Sequence, residues 1–61
     1  MTEYKVMAKA KYEKRYHCYG YWKDARTADK QAENLSRDSW TKNVKVIVTD
    51  SNGITNELQY K

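Results

Sequence analysis

Tyr4, Val6, Ala8, Ala10 and Tyr12 alternate strictly with Lys5, Met7, Lys9 and Lys11. A period of two sends successive side chains to opposite faces, so this stretch reads as a strand. Residues 16–22, Tyr-His-Cys-Tyr-Gly-Tyr-Trp, read as a second strand, with Glu13, Lys14 and Arg15 at the tip between the two. The period then changes. Ala28, Ala32 and Leu35 recur at i, i+4 and i+7, a narrow helical stripe of mostly small residues. Thr27 reads as the N-cap, Asp29 falls in the first turn, and Glu33 and Arg37 have the spacing of an i,i+4 ion pair. The helix is expected over roughly residues 28–38, with Trp40 folding back onto the core. Val44, Val46 and Val48 mark a third strand; Ile54, Asn56, Leu58 and Tyr60 mark a fourth. Between them, Asp50-Ser51-Asn52-Gly53 is the strongest turn signal in the chain.

Side-chain parity constrains how these strands pair. A two-residue Asn-Gly loop would set Val46 against Gln59, beside polar neighbours. A three-residue loop with Gly53 in the left-handed region pairs Val46 with Leu58 and Val44 with Tyr60, and is preferred. Two registers compete in the first hairpin. Pairing Tyr12 with Tyr16 places Val6, Ala8, Ala10, Cys18, Gly20 and Trp22 on the helix side. The small residues would then let Ala28 and Ala32 approach closely. Pairing Lys11 with Tyr16 instead turns Tyr19 and Tyr21 inward. The first is preferred because it buries Cys18 and Trp22. The element order ββαββ, with a right-handed crossover, predicts an α+β fold: a four-stranded antiparallel sheet, order 2-1-3-4, with one helix on one face.

Composition narrows the picture. Sixty-one residues suffice for a single domain (1–61) with a modest core. One cysteine rules out an intrachain disulfide and suggests a reducing, cytosolic setting. No apolar run is long enough for a membrane span. The net charge of +4 is unevenly spread: residues 4–23 carry Lys5, Lys9, Lys11, Lys14, Arg15 and Lys23 against Glu13 alone, a local +5. Under the preferred register, the uncovered face interleaves lysines with His17, Tyr19 and Tyr21, and adds Lys45 and Ile47. Lysines can neutralise phosphates or acidic protein surfaces, and tyrosines can stack or anchor an interface. Ordinary cross-strand packing of tyrosine on lysine stems is the competing explanation.

Catalytic chemistry is not expected. His17 and Cys18 are strand neighbours facing opposite ways, so they cannot form a dyad. Neither they nor any other cluster meets the spacing of a metal site, and no glycine loop could cradle phosphates. No cofactor is expected.

A Tyr/Trp-rich hairpin, a short helix opened by Thr27 and a further hairpin together resemble very small phage proteins that disable host machinery. Among these are the phage inhibitor of host RNA polymerase and phage antitoxins that block host ribonucleases. The resemblance implies a non-enzymatic protein of the host-cell cytosol that inhibits a host nuclease, polymerase or defence complex, and the local positive charge makes an acidic host surface the expected target. The expected contacts are Lys9, Lys11, Arg15, Tyr19, Tyr21 and Lys23. The stretch Tyr19-Gly20-Tyr21-Trp22, followed by Thr27 and Ala32, is also similar to the arm-type DNA-binding domain of phage integrases. That likeness implies nucleic-acid binding through the same face. The expected state is a monomer, or a weak homodimer through an edge strand.

Overall fold

The computed structural model describes all residues, Met1–Lys61. Its elements are β1 (Glu3–Ala10), β2 (His17–Trp22), α1 (Ala25–Arg37), β3 (Thr41–Thr49) and β4 (Thr55–Gln59). All sheet neighbours are antiparallel, and the order is β2-β1-β3-β4. The long connection between β2 and β3 carries α1, which packs on one side of the sheet against β3, β1 and β2 but not β4. The expected ββαββ fold is therefore the observed one.

The core lies between helix and sheet. Val6, Ala8, Val44 and Val46 project from the two central strands and meet Ala28 and Ala32. Tyr4, Trp22, Leu35, Val48 and Tyr60 close its rim. Small residues on both sides let helix and sheet approach closely, but the result is thin. Only 7 of 61 residues are buried, and no fully buried side chain is larger than valine. The one buried polar side chain, Thr41, places its Oγ1 2.6 Å from the Leu35 carbonyl and 2.8 Å from that of Asp38. Its single proton is shared between these two carbonyls at the end of α1, which also accept from the Asp38 and Thr41 N–H groups respectively. No helix is long and apolar enough to cross a membrane.

The second hairpin follows the expected register. Val46 pairs with Leu58, the Asp50 N–H donates to the Ile54 carbonyl, and Gly53 takes φ 81°. The Asp50 carboxylate also accepts from the Asn52 and Ile54 N–H groups, closing the loop from within. The first hairpin follows neither expected register. Tyr4 pairs with Trp22 and Val6 with Gly20; a bulge at Tyr19 then shifts the pairing, so that Met7 meets Cys18 and Ala8 meets His17. Cys18 is consequently exposed rather than buried, and His17, expected on the open face, has the parity of the helix side. The connection spans residues 11–16 instead of a three-residue tip.

At the helix start, Asp24 rather than Thr27 is the N-cap, accepting from the Arg26 and Thr27 N–H groups, and Asp29 lies beyond the first turn. No Glu33–Arg37 ion pair forms, and Trp40 stays outside the core, 42% exposed.

Candidate binding surface

The sheet face away from α1 is built by strand alternation. Once Val6, Ala8, Val44 and Val46 face the helix, Lys5, Met7, Lys9, Lys45 and Ile47 must face the other way. Register then adds Tyr21 beside Lys5, Cys18 beside Met7 and Glu57 beside Ile47. All three lysines lie over aromatic rings. Lys5 Nζ sits 5.6 Å from the Tyr21 ring centroid, and Lys9 and Lys45 converge on Tyr16 at 5.1 and 4.2 Å. A cation over a ring face is attracted by its quadrupole and loses rotamer freedom there. Lys45 is held further by Glu57 Oε1 at 3.2 Å. Met7 and Ile47, cross-strand partners of Lys45 and Lys5, are half-buried although no helix lies on them.

The residues expected to make contact are not all brought together. Lys9 and Tyr21 lie on this face. Lys11 and Arg15 belong to the exposed β1–β2 loop at one end of the sheet, whereas Lys23 follows β2 at the other. The length of β1, about 25 Å, separates those ends. Tyr19, at the bulge, engages no lysine; its ring lies 6.0 Å from that of Trp40. Tyr16 was not among the expected contacts, yet it organises the face. Its position just before β2 and its spacing from Lys9 carried no sequence signal, because the long loop brings it across.

The β1–β2 loop has its own order. Glu13 turns back on it: Oε1 accepts from the Ala10 N–H at 3.1 Å, and Oε2 lies 2.5 Å from His17 Nε2. Lys11 is tied through its N–H to the Trp40 carbonyl, 3.0 Å away, which joins the loop to the α1–β3 junction. Lys11, Lys14 and Arg15 have no carboxylate partner, and Tyr12 is 98% exposed. Asp24, near Lys23, has its carboxyl held below the usual value, chiefly by the Thr27 hydroxyl 2.7 Å away.

The surface holds no pocket, and no three acidic, histidine or cysteine side chains gather as metal ligands. What the arrangement offers is a broad, ordered, cationic and phenolic face with a basic loop at one end. No protein-family model, curated protein or solved structure matches this chain.

Proposed function

We propose that this protein is a small non-enzymatic binder that covers an acidic surface of a partner protein with the open face of its sheet. The very small phage proteins whose arrangement it resembles likewise disable host machinery. The observation that carries the reading is the fixing of Lys5, Lys9 and Lys45 over the Tyr21 and Tyr16 rings. Lysines already held in place give up less rotamer entropy on binding, so more of the interaction appears as affinity. Tyrosines supply the rigid, amphipathic anchors on which interface energetics concentrate. The area is adequate as well. A face within the 35 × 21 Å outline of the molecule offers roughly 700 Å², close to the ~800 Å² per partner of a standard interface.

The test is a nuclease-treated capture from host lysate, comparing the wild type with Lys9→Glu and Tyr21→Ala. A protein retained by the wild type and lost by both variants supports the reading. Equal retention by all three, or loss of the captured material on nuclease treatment alone, contradicts it.

A further inference from the structure

We propose that the β1–β2 loop and the adjoining α1–β3 junction form a second site, which binds single-stranded nucleic acid by neutralising its phosphates and stacking on a base. This site lies at one end of the sheet, is built from residues other than the lysine–tyrosine row, and does not depend on the protein-partner reading.

The first observation is where the loop's charges point. Its only acid, Glu13, is turned onto the Ala10 N–H and His17, so it is not available to the neighbouring cations. Lys11, Lys14 and Arg15 are exposed and unpaired. Lys42 adds a fourth exposed cation at the irregularity where β3 meets the end of β1. Set against the carboxylates of Glu13 and of Asp38 at the junction, these four cations still leave this end of the molecule net positive, which suits a chain of regularly spaced phosphates.

The second observation is the state of the aromatic rings. Tyr16 and Tyr21 already have lysines over them, whereas no cation or ring lies over Tyr12, which is almost wholly exposed. A tyrosine left bare on both faces contributes nothing to the core, but it is a ready stacking platform for an unpaired base. Trp40, half-exposed beside Lys11 and in contact with Tyr19, offers a second aromatic surface at the same end. Unpaired bases expose the π-faces such a site needs, whereas those of a duplex are stacked on one another.

Fluorescence anisotropy with a labelled twelve-nucleotide oligothymidylate tests the proposal, with polyglutamate and a duplex of equal length as competitors. Binding is expected at low salt, with a log–log salt slope of about −2 for three neutralised phosphates on a single strand. The double variant Lys14→Glu/Arg15→Glu should weaken binding more than tenfold. Tyr12→Ala should weaken it about tenfold without changing the slope. Lys5→Glu, on the sheet face, should leave it within about twofold, which separates this site from the protein-binding face. Circular dichroism confirms that each variant folds. No binding at low salt overturns the proposal, as does binding indifferent to Tyr12→Ala. Equal competition by polyglutamate would show an acidic-protein site instead, and preference for the duplex would also overturn it.

Discussion

At Gly20 the backbone takes φ +150°, and a Cβ there would lie 2.4 Å from the Trp22 ring. Trp22 folds over its own strand and uses the space that a side chain would fill. From the sequence alone, that space is expected to serve the approach of α1. The small residue was recognisable, but not which neighbour would occupy the gap, because that depends on where the bulge at Tyr19 leaves the strand. Gly20→Ala should cost about 1–3 kcal/mol through overpacking, measured by urea denaturation. Tyr60 is the second decisive residue. Its hydroxyl donates to Asp29 Oδ1 at 2.6 Å. Burial, followed by this bond, pushes its pKa from 10.0 up to about 12. The folded protein thus holds the phenolic proton more tightly than the unfolded chain does. That contribution is complete below pH 10 and lost as the pH rises towards 12. Tyr60→Phe should remove this part of the alkaline fall in Tm, leaving a shallower profile between those values.

Among the elements, the second hairpin was the most legible and the first the least, for a local reason. Gly53 admits the left-handed conformation that a three-residue loop requires, which fixes parity for every later residue of β4. The first hairpin has no glycine or asparagine at its turn, and its bulge at Tyr19 reverses parity midway. No residue type announces such a bulge, so Cys18 and His17 exchange faces relative to the expected pattern. The helix start was recoverable. Asp24 and Thr27 are both good caps three residues apart, and the earlier one wins because Thr27 can then donate to it through both N–H and hydroxyl. Asp24→Ala should lower Tm and reduce helicity in the first turn, whereas Asp24→Asn should retain most of both. Equal losses in the two variants would show that charge, rather than capping geometry, is what Asp24 supplies.

For the whole molecule, the layer plan was visible in the sequence: one narrow helix can cover only one face of a four-stranded sheet. The state of the uncovered face was not visible, because lysine–tyrosine contacts across strands depend on register and on the path of the β1–β2 loop. A thin core of small side chains leaves little stability in reserve. A partner that binds only the folded chain should therefore raise Tm, by an amount that grows with its concentration. The most direct test of the proposed binding face is lysine-reactivity mapping by mass spectrometry on the captured complex and on the free protein. Protection of Lys5 and Lys9, with Lys30 on the helix still reactive, is the predicted result. Protection of Lys30 with the sheet lysines unchanged would contradict it.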